Sequence, residues 1–94
     1  MAAIISKPAV PGRDSPVLVV YGREDCHLCQ DMIAALRERQ ARLHFHLQVV
    51  DVDSDDNLKS RYGERVPVLV AGGEEICHYY LDHVVLDAYF TKIR

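Results

Sequence analysis

The hydrophobic positions of this chain change rhythm several times, and each change marks a predicted element. Residues 17–21, Val-Leu-Val-Val-Tyr, form an unbroken apolar run of strand length. Such continuity is expected of a strand covered on both faces in a layered α/β domain. After a turn over 22–25, Cys29, Met32, Ile33 and Leu36 recur three or four positions apart with charged residues among them. That spacing predicts an amphipathic helix over about 26–40, its apolar face against the strand. Over 43–52 the period becomes two: Leu43, Phe45, Leu47 and Val49 alternate with His44, His46 and Gln48, predicting a second strand with the first set facing inward.

Asp53 or Ser54 can cap a short helix running through Leu58 to Tyr62, and Gly63 stops it. A third strand over 68–70 follows Val66-Pro67. Ala71-Gly72-Gly73-Glu74 reads as a hairpin turn, with a returning strand over 75–80. A last helix over about 81–92 is expected to bury Val84, Val85, Leu86, Tyr89 and Ile93. The order is therefore βαβαββα. The first crossover is parallel and right-handed. The tight turn makes the last two strands antiparallel, so the fold class is α/β with a mixed four-stranded sheet flanked by helices. Residues 1–15, with Pro8, Pro11 and Gly12 and no sustained period, read as a flexible lead-in to one domain over 16–94.

Composition narrows the function classes. Hydrophobic residues make up 49% of the chain, which fits a globular domain and not a disordered one. Eleven basic against fourteen acidic residues leave a net charge of −3, unsuited to a broad phosphate-binding surface, so no nucleic-acid partner is expected. No apolar run approaches the roughly 18 residues of a membrane span. Lys7 and Pro8 cut short the apolar start, so no signal peptide is expected and the expected location is cytoplasmic.

The chemistry lies in three cysteines. Cys26 and Cys29 form a C-x-x-C, and Cys77 stands apart. The pair is redox-active or metal-binding. Zinc wants four ligands, and Cys77 with His78 would complete a set. Neighbours on a strand point to opposite faces, however, so both cannot easily reach one ion. His44 and His46 share a strand face but read as a solvated or partly covered edge. No metal site is assigned. At a helix start, Cys26 would sit where unpaired N–H groups and the dipole favour the thiolate that attacks disulfides. Cys29, one turn further in, should be the more buried sulfur.

A C-x-x-C between a buried first strand and first helix, with Val66-Pro67 opening a strand about forty residues later, resembles the thioredoxin/glutaredoxin superfamily. The matching segments are Tyr21-Gly22-Arg23-Glu24-Asp25-Cys26-His27-Leu28-Cys29, Val50-Asp51-Val52-Asp53, Tyr62-Gly63 and Val66-Pro67. The resemblance implies a thioredoxin-like fold and a glutaredoxin-like thiol–disulfide oxidoreductase, with Cys26 as nucleophile and Cys29 resolving. It also implies a cis Pro67 facing the C-x-x-C, with Val66 offering backbone hydrogen bonds to substrate. Arg23 falls where glutaredoxins carry a lysine for glutathione's carboxylate, and His27, when protonated, adds charge beside Cys26. The implied partners are protein or low-molecular-weight disulfides and a thiol electron donor.

The chain departs from the pattern in two places. It has Cys-His-Leu-Cys for Cys-Pro-Tyr-Cys, and His78-Tyr79-Tyr80-Leu81-Asp82 where glutaredoxins place a Gly-Gly-x-Asp cradle for glutathione. No tightly bound cofactor is expected, and glutathione remains a candidate ligand. Two other functions fit the same residues: a carrier binding an iron–sulfur cluster or metal through the first cysteine, and a non-catalytic thioredoxin-fold interaction module.

Overall fold

The computed structural model describes residues 15–93. The lead-in expected over 1–15 falls, apart from Ser15, outside the described residues. Eight elements follow one another: β1 (Val17–Gly22), α1 (His27–Arg39), β2 (His46–Asp51), a 3-10 turn (Val52–Ser54), α2 (Asp56–Tyr62), β3 (Val68–Ala71), β4 (Glu74–His78) and α3 (His83–Lys92). Apart from the 3-10 turn, this is the βαβαββα order.

The sheet order is β2-β1-β3-β4, so β1 is an inner strand with helices over both faces. It runs parallel to β2, from Val17 opposite His46 to Gly22 opposite Asp51. It runs antiparallel to β3, with Tyr21 opposite Val68. The unbroken apolar run of β1 follows from this position. Leu18 and Val20 face one core with Met32 and Leu36 of α1, Leu69 and Ala71 of β3, and Leu86 of α3. Tyr21 lies on the other face, packed against the cluster of Val52, Tyr62 and Val68 beneath α2. Its ring stacks on that of Tyr62 with centroids 4.3 Å apart. Each fully buried Leu or Val contributes about 1.5–3 kcal/mol.

The turns follow their residues. Gly72 and Gly73 both take positive φ, 59° and 80°, as a two-residue hairpin between Ala71 and Glu74 requires. A bulge between Leu69 and Val70 shifts the β3–β4 register, so Leu69 faces Cys77 while Val70 faces Glu75. Asp51 caps the 3-10 turn through the Asp53 N–H, and Asp55 caps α2 through those of Asn57 and Leu58.

Several expectations need correction. The cap of α2 is Asp55, not Asp53 or Ser54, because the 3-10 turn occupies the first acidic residues. Gly63 closes α2 in a right-handed conformation, not a left-handed one. β2 begins at His46, and its Val49 is 50% exposed, because β2 is an edge strand whose far end α1 does not reach across. β4 ends at His78, leaving Tyr79 and Tyr80 exposed beyond the sheet. On α3 the inward stripe is Leu86, Tyr89 and Phe90, spaced by three and four; Val84, Val85 and Ile93 are exposed.

Candidate active site

β1 delivers the chain to the end of the sheet at Gly22, and Arg23 to Cys26 turn it into α1. The Cys26 N–H donates to the Arg23 carbonyl at 3.3 Å. The side-chain amide of Gln30 returns to the Glu24 carbonyl at 3.1 Å, bracing the turn from the first turn of α1. Cys26 is the N-cap residue of α1, in extended conformation, and its sulfur accepts the Cys29 N–H at 3.1 Å. A helix leaves its first N–H groups without intrahelical partners. Here one of them meets the sulfur expected to attack.

Cys26 and Cys29 are joined in a disulfide with their Cα atoms 5.1 Å apart. Cys29 is 1% exposed and Cys26 is half-buried, so Cys29 is the more buried sulfur, as expected from its place one turn into the helix. The Arg23 N–H donates to the Cys29 sulfur at 3.5 Å. A Cβ added at Gly22 would lie 2.8 Å from that sulfur, so the glycine is needed for close approach.

Arg23 is held from two sides. Its Nε meets the Asp53 carboxylate at 3.2 Å, and its Nη1 donates to the Gly63 carbonyl at 2.8 Å. A Cβ at Gly63 would fall 3.1 Å from Nη2 and would clash with the Lys59 carbonyl, a further requirement for close approach. Arg23 therefore ties the dithiol turn to the loop leading into Val66-Pro67. His27 is exposed, with 86% of its side chain accessible, and lies 3.6 Å from Asp31 one turn along the helix.

Val66-Pro67 is a cis peptide bond, as the resemblance implied. Pro67 is fully buried and Val66 packs against the Tyr62 cluster. Since Val68 pairs with Tyr21, Pro67 stands level with Gly22 at the same end of the sheet as the dithiol turn. The loop before it is clasped by Tyr79, whose N–H donates to the Pro67 carbonyl at 2.8 Å and whose hydroxyl donates to the Glu64 carbonyl at 3.2 Å. Tyr79 takes φ +67°, a left-handed conformation uncommon outside glycine. Arg65 pairs with Glu75, and His78 Nδ1 lies 2.7 Å from the same carboxylate. Burial opposes ionisation of Glu75, but the hydrogen bonds and charges of Arg65 and His78 outweigh it and hold the carboxyl below its ordinary value.

The sequence reading names Asp53 and Gly63 as helix-end residues and places Gly22 within a matching segment, but assigns neither these three nor Tyr79 to the site. A glycine directly before the dithiol turn is a readable signal for Gly22, whereas Tyr79 carries none. Cys77 is a free, half-buried thiol, and burial pushes its pKa up. It faces Leu69 across the sheet. Among the described residues, no group of three or more His, Cys, Asp or Glu is arranged to hold a metal ion, and no helix is long and apolar enough to cross a membrane.

A four-stranded mixed sheet, a disulfide at the head of its first helix and a cis-proline at the same end define a thioredoxin-like domain. The comparisons agree. The family model described as Glutaredoxin-like domain (DUF836) matches residues 17–91, and the chain belongs to that family. It is similar to a Nitrosomonas europaea protein solved by NMR, with 48% identity, 83% of this chain and 94% of that one covered, and a TM-score of 0.76. A point mutant of thioredoxin from Halobacterium salinarum is 25% identical, covering 88% of this chain and 86% of its own, with a TM-score of 0.59. An uncharacterised protein of Mycobacterium tuberculosis is 26% identical over 72 residues, 71% of this chain and 74% of the relative.

Proposed function

We propose that the protein is a thiol–disulfide oxidoreductase in which Cys26 attacks and Cys29 resolves. The observation that carries this reading is the Cys26–Cys29 disulfide at the head of α1, with the outer sulfur accepting a helix N–H and the inner one buried against Gly22. On reduction, the contact that caps the helix favours the Cys26 thiolate.

In the forward direction the Cys26 thiolate attacks one sulfur of a substrate disulfide R–S–S–R′. The S–S bond breaks, and R′–S⁻ leaves and takes a proton from solvent. Cys26–S–S–R remains. Cys29 gives up its proton to solvent and attacks the Cys26 sulfur, expelling R–S⁻, which is protonated in turn. Two electrons have passed from the dithiol to the substrate, and a thiol donor returns them by the reverse exchange. Val66 borders the substrate groove, and the buried Pro67 behind it fixes the backbone there. Arg23 shapes it by fixing the loop at Gly63, and His27 lies exposed beside the outer sulfur. The substrates are protein or low-molecular-weight disulfides, glutathione disulfide among the candidates.

Redox titration of the full chain in glutathione and dithiothreitol buffers, read by mass spectrometry, tests this. The pair should cycle between dithiol and disulfide at a defined poise. Cys29→Ser should accumulate a mixed disulfide on Cys26, and Cys26→Ser should accumulate none. A pair that stays oxidised in excess dithiothreitol, or exchange that survives Cys26→Ser, overturns the reading.

A further inference from the structure

Beside the dithiol turn, on the side away from Val66-Pro67, a cleft of about 320 Å³ opens between the start of α1 and the end of β2. Its floor includes the buried Cys29, and its walls include Ile33 and Val49. Val49 lies on the α1 side of β2, two residues after Leu47 in the same core face, yet α1 leaves it half-exposed. An apolar wall left open in an edge strand is available for contact.

The cleft also carries charge. Exposed Glu24 and Asp51 line it, the first in the dithiol turn and the second opposite Gly22 at the end of β2. Arg23 lines it too, but its charge is matched by Asp53, outside the cleft. With Arg23 paired, the remaining charges on the walls of the cleft are both negative. Apolar walls with carboxylates beside them suit one kind of side chain: a long aliphatic stem ending in a cation. Lys and Arg bury such stems along apolar surface while keeping the charged head in a polar setting.

We infer that this cleft receives a lysine or arginine side chain of a protein substrate, one that lies within a few residues of the substrate's reacting cysteine. The inference rests on the exchange reaction proposed above and names its substrate class: disulfides set in basic segments. While the substrate cysteine is bonded to Cys26, its basic neighbour lies over Ile33 and Val49 with its charge toward Glu24 and Asp51. The contact orients the mixed disulfide, and its position next to Cys29 keeps it out of the Val66-Pro67 groove.

The test uses the full chain, reduced, and ten-residue peptides with one cysteine held in a mixed disulfide with neutral 2-mercaptoethanol. One neighbouring position at a time, from four before the cysteine to four after it, carries Lys, norleucine, Ala or Glu. The readout is the second-order rate of attack by Cys26. At one or two positions, Lys should react about tenfold faster than Ala and about threefold faster than norleucine, with Glu slowest. Because exposed charges are screened by salt, the margin over norleucine should vanish near 0.5 M salt while the margin over Ala persists in part. Glu24→Gln should reduce the Lys margin over norleucine, and Val49→Arg, which fills the cleft with the protein's own basic side chain, should remove the Lys preference. Equal rates for Lys, Ala and Glu at every position, or a Lys preference that survives Val49→Arg, would overturn the inference and leave the exchange reaction standing. If no peptide reacts, the exchange reading falls and this one falls with it.

Discussion

Replacing Gly22 by alanine probes the contact that seats the inner sulfur. The new Cβ would lie 2.8 Å from the Cys29 sulfur and 3.1 Å from its Cβ. Ordinary carbon contacts sit at about 3.5–4.0 Å, so the sulfur contact is too close by roughly 1 Å. Cys29 is fully buried in the first turn of α1 and cannot swing outward to relieve it. Overpacking of this kind costs about 1–3 kcal/mol. Gly22 does not take positive φ, so alanine also restricts the unfolded chain and returns about 0.4–1 kcal/mol. The net loss should be about 1.5 kcal/mol, or roughly 6–12 °C in Tm for a domain of this size. To keep the disulfide out of the comparison, all variants carry Cys26→Ser, and Gly22→Ala and Cys29→Ala are made singly and together. With the sulfur gone, only the Cβ–Cβ approach remains, and a shift of a few tenths of an ångström relieves it. Gly22→Ala should then be nearly neutral, a coupling of at least about 1 kcal/mol by urea denaturation. An equal cost in both backgrounds would show that the sulfur contact is not the source.

Leu86→Ala should destabilise the domain by about 2–5 kcal/mol, as expected for a fully buried leucine, whereas Val84→Ala, at a site 78% exposed, should stay within about 0.5 kcal/mol; urea melts of the two variants check which face of α3 is buried. At Tyr79, both Asn and Val lose the ring and the hydroxyl bond, but only Asn tolerates the observed φ of +67°, so Tyr79→Val should be the less stable by at least about 1 kcal/mol in the same assay. Glu75 has a folded pKa held below its ordinary value, so its contribution is full above that value and is lost as pH falls through the folded one. Glu75→Gln should therefore cost no more than about 1 kcal/mol at pH 7, as for a partly exposed pair, and thermal melts should converge with the parent in strong acid.

The parts of this fold that were legible in the sequence are those where one physical demand dominates. Residues of β1 face helices on both sides and must be apolar throughout. The face of α1 repeats at three and four because it meets the sheet along its length. The dithiol turn follows because a strand leads directly into a helix N-terminus, and the hairpin because two consecutive glycines permit two positive φ angles. Legibility fails where several residues satisfy the same local rule. Asp51, Asp53, Ser54, Asp55 and Asp56 are all competent caps, and only the 3-10 turn decides that Asp51 and Asp55 act. In α3, Val84, Val85, Leu86, Tyr89, Phe90 and Ile93 surround the helix with apolar groups, so the inward stripe is chosen by what the sheet presents. Arg23 was readable as a charge beside the dithiol. Its partners are 30 and 40 residues away, and no local pattern names them.

Those distant partners change what the charge at Arg23 can do. A basic residue beside a reactive dithiol reads first as a receptor for a substrate carboxylate. A guanidinium serves that role through a free fork of donors. Here Nε is directed at the Asp53 carboxylate and Nη1 at the Gly63 carbonyl, so two of the three guanidinium nitrogens are engaged within the protein and Asp53 already balances the charge. Glu24 and Asp25 in the same turn, and Asp51 at the adjoining strand end, add repulsion toward an anion. A neutral or basic segment meets no such opposition. The guanidinium at this position thus joins the dithiol turn to the loop that carries Val66-Pro67, with its charge balanced by Asp53. In the exchange reaction proposed above, discrimination among substrates would fall to the exposed acidic residues around the turn and to the apolar walls between them.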